Sequence, residues 1–178
     1  MFFHTMDLTA DELIENDVQR FYEICNQPFV LRWMDDWKMD LESAKKLIKF
    51  FITGYDIRNP EKHPFVIAIR MKQSNDLIGI CGFGPKEELG GSAEICYFID
   101  ERYSNKGYMK QIIPKAVKYY FDMTQKEFLC ALLDENNLSS KKLLLNNGFS
   151  FFEFIYDNKM LKSHYRLYRN KFSDRYQK

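Results

Sequence analysis

The sequence has no CxxC pair. Its four cysteines (Cys25, Cys81, Cys96 and Cys130) and its three histidines are scattered along the chain. Zinc chelation needs closer, regular spacing, so no metal site is expected. Cys81, Cys96 and Cys130 fall in apolar runs, where a small buried side chain belongs, and that use suits a reducing compartment. Basic and acidic residues number 26 and 25, leaving a net charge of +1, which argues against nucleic-acid binding by bulk charge. No apolar run reaches membrane-spanning length, and the opening "MFFHTMDLTADE" lacks the basic region and long apolar core of a secretory leader. A soluble cytoplasmic protein with no membrane partner is expected. Repeats, low-complexity segments and linkers are also lacking, so residues 1–178 read as one domain. What is present is apolar: 46% hydrophobic residues and 16% aromatics supply a core and exclude disorder.

Periodicity divides the chain. In "NDVQRFYEICNQ" the residues Val18, Phe21, Tyr22 and Cys25 repeat at helical spacing, with Asn16 or Asp17 as cap. "DLESAKKLIKFFITGY" reads as a second helix capped by Asp40. "PFVIAIRMK" and "LIGICGFGP" form a hairpin pattern around "QSNDL", and "GSAEICYFID" is a third strand. "QIIPKAVKYYF" is helical, with an expected kink at Pro114. "KEFLCALLD" reads as a buried strand. "NNLSSKKLLLNNGF" reads as a helix from an Asn cap to Gly148. "FSFFEFIYD" and "LKSHYRLYRN" close the chain as strands around "DNKM", and the charged end "YRNKFSDRYQK" reads as a solvated tail. The order is two helices, three strands, helix, strand, helix, two strands. It implies an α/β fold of the α+β type, with a mixed, mostly antiparallel central sheet and helices on both faces. Three strands in a row disfavour a doubly wound nucleotide fold.

Between the third strand and the following helix lies "RYSNKGYMKQ". A helix start leaves backbone amides unpaired and carries partial positive charge, so it suits a phosphate. Gly107 allows close approach, Asn105 tolerates a left-handed backbone, and Lys106 and Lys110 add charge. Alone, a loop with one glycine is usually a turn.

Three further stretches give it context: Ala93-Glu94-Ile95-Cys96-Tyr97, Asn137-Leu138-Ser139-Ser140 and Gly148-Phe149. Together with the loop they resemble the GCN5-related N-acetyltransferase (GNAT) superfamily, in its ribosomal-protein N-terminal acetyltransferase-like (RimJ/RimL-like) branch. The element order agrees over roughly residues 15–170. The chain departs from the pattern at three positions. Asn105 replaces the first turn glycine, Met109 an alanine and Cys96 the strand glycine. The tyrosine that many members carry before the last helix glycine is here Leu144.

The resemblance implies acetyl-coenzyme A as co-substrate and an amine as acceptor, and it is compatible with a homodimer. It places the pyrophosphate against Arg102, Asn105, Lys106, Gly107, Tyr108 and Met109. The pantetheine arm would run along Tyr97, Phe98 and Ile99, facing Asn137 and Ser140. Glu94 is the expected base toward the amine, or else a structural carboxylate. Ser140 is the expected proton donor to the thiolate, or else an ordinary helix-start serine. Proximity supplies much of the rate, and an α-amine, with its pKa near 8, needs little help from a base. Trp33, Asp35, Asp36 and Trp37 are the expected acceptor wall, set against the plain reading that such residues pack or cap. Two functions stay open: N-acetyl transfer to a protein N-terminus or small amine, and a weakly catalytic coenzyme A-binding sensor or interaction module.

Overall fold

The computed structural model describes residues 1–157 and 159–176. The chain opens with a short hairpin, β1 (Phe3–His4) and β2 (Leu8–Asp11). Helices α1 (Val18–Cys25), α2 (Pro28–Leu31) and α3 (Leu41–Ile57) follow, with a 3-10 turn at Asp35–Trp37. Then come β3 (Phe65–Met71), β4 (Leu77–Pro85), β5 (Ala93–Ile99), α4 (Tyr108–Met123) and β6 (Phe128–Leu133). The chain continues with α5 (Leu138–Asn146), β7 (Ser150–Asp157), β8 (Met160–Tyr168) and α6 (Arg169–Tyr176). The strands form one sheet in the order β1-β2-β3-β4-β5-β6-β8-β7, antiparallel throughout except between β5 and β6. The fold is α+β, as the order of elements implied.

Two apolar cores lie on the two faces of the sheet. On one face Phe21 and Ile24 of α1 and Ile48 and Phe51 of α3 pack on Val66, Ile80 and Phe98. On the other Ile112, Ile113, Ala116, Val117 and Tyr120 of α4 pack on Ile67, Ile95 and Leu129. Covered on both faces, β3 and β4 read as unbroken apolar runs instead of alternating ones.

The helix ends show why the chain divides as it does. The Asp40 carboxylate accepts the Ser43 amide at 2.7 Å, and the Asn137 side chain accepts the Ser140 amide at 3.2 Å. Past α5, Gly148 turns left-handed at φ +89°. The Phe149 amide then reaches the Leu144 carbonyl at 3.1 Å and the Gly148 amide the Leu145 carbonyl at 3.0 Å. That pair of bonds satisfies carbonyls the helix would leave open. Helix α4 runs through Pro114 without ending there.

Three expectations need correction. The first hairpin escaped the sequence reading because strands of two and four residues carry almost no periodic signal. Asp17 precedes α1 but its side chain caps no amide of that helix; it caps the 3-10 turn Glu15–Asp17 before it. It also takes Arg70 of β3 through two hydrogen bonds at 2.8 and 2.5 Å, and accepts the Ile14 amide at 2.8 Å. The charged end is helix α6 up to Tyr176 and not a solvated tail; residues 177 and 178 lie outside the described residues, as does Asn158 in the expected "DNKM" turn. Phe172 is buried against Phe121, and Arg169 donates to the carbonyls of Phe121, Thr124 and Lys126 at 2.8, 2.6 and 2.8 Å. The guanidinium thus closes the C-terminus of α4, where cations are favoured.

The Asp17–Arg70 pair ties the start of α1 to the middle of the sheet, and both residues are buried. Removing one partner strands the other charge. Asp17→Ala is expected to lower the unfolding free energy in urea by about 3 kcal/mol; a loss under about 1 kcal/mol would show that the pair holds little.

Candidate active site

Strands β5 and β6 start side by side and part at once. Their one bridge joins Glu94 to Cys130, whereas β4 and β5 stay paired from Pro85↔Ala93 to Gly79↔Ile99. Beyond the bridge the two strands open a wedge in the sheet, and a cleft of about 870 Å³ runs through it. The Leu132 amide has no β5 backbone to meet in a widening gap; it donates to the Glu94 carboxylate at 3.3 Å. Glu94 therefore spans the opening at its apex.

The apex is buried and lies among acids. Burial raises the Glu94 carboxyl to about 7, with Asp157 and Asp36 adding to the rise; Lys86 and the Leu132 amide hold it back. Lys86 pairs with Asp157 at 2.8 Å and with Glu88 at 3.5 Å. Burial disfavours the Lys86 charge, but the Asp157 hydrogen bond and the surrounding carboxylates outweigh it and move its pKa up. The Cys96 thiol also lines the cleft. Burial, and then the nearby Glu94, push it well above the ordinary thiol range, so it sits protonated and unreactive.

Along β5 the side chains alternate. Tyr97 and Ile99 turn to the core under α4, and Phe98 to the core under α1 and α3; all three border the cleft. The Tyr97 hydroxyl is buried and lacks a well-formed hydrogen bond among the described residues, with the Ser140 hydroxyl as its polar neighbour. Burial raises the phenol and Ser140 lowers it, with burial prevailing. Asn137 and Ser140 line the opposite wall at the start of α5.

The loop before α4 is built as a cradle. Asn105 and Gly107 are both left-handed, at φ +57° and +79°. The amides of Asn105, Lys106, Gly107 and Tyr108 donate to no carbonyl among the described residues. A Cβ added at Gly107 would meet nothing within 4 Å, so the bare backbone faces open space. Met109 turns onto the core beneath α4 while still bordering the cleft, which keeps the helix start slim. Asn105, Gly107, Tyr108 and Lys110 line the cleft.

Arg102 and Lys106 do not line it. Arg102 is a correction with a clear cause: its amide donates to Asp100 at 2.7 Å, and its guanidinium pairs with the same carboxylate at 3.0 Å. Burial opposes the Asp100 charge, yet Arg102 and Arg20 hold that carboxyl well below its usual range. The amides of Tyr103 and Ser104 go to Asp100 and Glu101, so the free amides start at Asn105. The Lys106 ammonium lies over the Tyr103 ring at 5.3 Å.

Trp33, Asp35, Asp36 and Trp37 all border the cleft. Trp37 also packs on Phe98 at 5.1 Å and on Phe21 at 6.3 Å, so packing and lining coincide there. Arg32 stacks on Trp33 at 4.9 Å. Sequence reasoning missed Lys86, Asp157, Met160 and Lys162, which complete this wall. They come from the ends of two hairpins, and neither carries a motif. Among the described residues no His/Cys/Asp/Glu group is arranged to hold a metal, and no helix is long and apolar enough to cross a membrane.

The chain is similar to known proteins. The family described as an acetyltransferase (GNAT) domain matches residues 7–150. An uncharacterized N-acetyltransferase, p20 of Bacillus licheniformis, is 25% identical over 149 residues, 83% of this chain and 80% of that protein. A ribosomal-protein-serine acetyltransferase of Escherichia coli (strain K12) is 24% identical over 143 residues, 80% of this chain and 78% of that protein. A solved structure of RimL, a ribosomal L7/L12 alpha-N-protein acetyltransferase in complex with coenzyme A, superposes with a TM-score of 0.78 at 16% identity. It covers 94% of this chain and 97% of its own. With most of its length matched to the family model, the chain belongs to the GNAT acetyltransferase family.

Proposed function

We propose that this enzyme transfers the acetyl group of acetyl-coenzyme A to a primary amine, an α-amine above all, by direct attack in a ternary complex. The observation that carries the reading is the wedge itself: free loop amides at one end, the orphaned Tyr97 hydroxyl and Ser140 midway, and a carboxyl poised near neutrality at its apex. These groups fit the pyrophosphate, the pantetheine arm and the reacting amine in that order. Acetyl-coenzyme A supplies the thioester and the departing thiolate.

The chain's residues do the rest. The amides from Asn105 to Tyr108 bind the pyrophosphate at the positive end of α4, and Lys110 adds charge. Tyr97, Phe98 and Ile99 wall the arm and exclude water. Asn137 holds the start of α5 in place, so that Ser140 reaches the sulfur and returns a proton to it. A backbone amide of β5 near Phe98 stabilises charge developing on the carbonyl oxygen. Glu94 takes the amine's proton, directly or through water. Trp33, Asp35, Asp36 and Trp37 border the acceptor's entry, and the two carboxylates attract its cation. The relatives named for ribosomal-protein acetylation support a protein N-terminus as acceptor.

Glu94 carries two roles that one variant separates. In Glu94→Gln the amide oxygen still accepts the Leu132 hydrogen bond, but the base is gone. Since the Glu94 carboxyl titrates at about 7, its base form grows as pH rises through that value. Wild-type kcat/KM for thiol release with an α-amine is expected to climb through this range and again with the amine's own deprotonation near pH 8. Glu94→Gln should lose the lower limb and about a hundredfold in kcat. An unchanged pH profile would make Glu94 structural.

Gly107→Asp tests the cradle. Asp tolerates a left-handed backbone better than most residues and is a favoured N-cap, so folding should survive by circular dichroism. Its carboxylate would oppose the pyrophosphate. The KM for acetyl-coenzyme A should rise at least about tenfold, roughly 1.4 kcal/mol of binding; an unchanged KM would place the phosphates elsewhere.

A further inference from the structure

Of the three lysines that line the cleft, Lys86 is paired with Asp157 and Glu88, whereas Lys110 at the loop end and Lys162 on the far wall have no counter-ion among the described residues. Lys162 of β8 lines the cleft and is only 8% exposed. Its ammonium forms no ion pair or hydrogen bond among the described residues. The residue is buried along its stem, and its ammonium keeps an open face toward the cleft. The strand register shows that acids are close by and otherwise engaged. Asp157 closes the adjoining hairpin opposite Met160, and it is held by Lys86 at 2.8 Å. Glu153 lies across from His164 and bonds its ring at 3.3 Å. Asp134 follows directly on Leu133, which pairs with Ser163, and it accepts the amide and side chain of Asn136 at 2.8 and 3.0 Å. Glu135 is taken by Lys141 at 2.5 Å and by Ser163. Ile155, directly across from Lys162 on β7, offers nothing polar.

The same cleft holds an opposite imbalance. Asp35 and Asp36 border it with no cation paired to them among the described residues, while the Lys86 charge is already matched by Asp157 and Glu88. A wall with unmatched carboxylates in one part and an unmatched ammonium in another is complementary to a ligand that carries both charges.

We propose that Lys162 binds an anionic group on the acceptor, so that the enzyme acts on amines that also carry a carboxylate. The amine end lies toward Asp36 and Glu94, and the carboxylate end meets the Lys162 ammonium. Such a carboxylate comes either from an acidic side chain near a peptide N-terminus or from the free C-terminus of a very short peptide. This selectivity rests on the acetyl-transfer reading. It concerns the acceptor alone, since the phosphates of coenzyme A belong to the loop before α4.

Isosteric acceptor pairs test it by thiol release. Ser-Asp amide against Ser-Asn amide reads a side-chain carboxylate; Ser-Ala free acid against Ser-Ala amide reads a terminal one. The acid member of at least one pair should be preferred about tenfold in kcat/KM, through KM and not kcat. Lys162→Gln should abolish that preference, Lys162→Arg should keep it, and the KM for acetyl-coenzyme A should stay constant in both. Equal turnover within both pairs, a preference surviving in Lys162→Gln, or a raised KM for acetyl-coenzyme A would overturn the proposal. Should the protein bind acetyl-coenzyme A but release no thiol, equilibrium titration of its coenzyme A complex with the same four compounds still reads the contact. About tenfold tighter binding of an acid member, lost in Lys162→Gln, would support it; absent or charge-blind binding would refute it.

Discussion

Strands β5 and β6 run parallel in a sheet that is otherwise antiparallel, and they separate after a single bridge at Glu94 and Cys130. A sheet interrupted in this way exposes backbone donors and acceptors that elsewhere pair with each other, and exposed polar backbone in a low-dielectric cleft is costly unless something answers it. The protein answers part of it from within: the Glu94 carboxylate takes the Leu132 amide. The rest is left for a ligand. The two cores keep the wedge open, since α4 braces one face of β5 through Ile95 while Phe21 and Trp37 brace the other through Phe98. The wedge is thus held by packing on both sides.

The electrostatics follow from the same opening. At its mouth, the start of α4 presents amides with no carbonyl to meet, in a loop whose two left-handed residues point the backbone at the cavity. At its apex, burial and neighbouring acids bring Glu94 into the range where it can exchange a proton at neutral pH. Across the cleft, Lys86 and Asp157 join the turn after β4 to the hairpin of β7 and β8. That pair screens Glu94 from one side and fixes the distal wall on which Lys162 stands.

Much of this was legible in the sequence. Helices α3 and α5 announced themselves through their caps, Asp40 and Asn137, and β3 and β4 through apolar runs that only doubly covered strands carry. The left-handed backbone at Asn105 followed from the chemistry of asparagine. Other features depend on contacts that no local pattern encodes. Asp17 looks like a cap of α1, but it caps the 3-10 turn before that helix and also holds a buried guanidinium far along the chain. Arg102 looks like a phosphate ligand, but the carboxylate two residues before it takes both its amide and its side chain. Helix α6 looks like a charged tail until Arg169 and Phe172 find the end of α4. The distal wall, Lys86 with Asp157, Met160 and Lys162, is assembled by hairpins remote in sequence, and each residue alone reads as a surface position.

Calorimetric titration of the purified protein with acetyl-coenzyme A decides whether the wedge between β5 and β6 is a coenzyme A site. One molecule is expected to bind per chain, saturably and at micromolar strength or tighter. An absence of binding heat up to millimolar ligand, confirmed by an unchanged melting temperature, would contradict it and leave the wedge a feature of the fold without the cofactor.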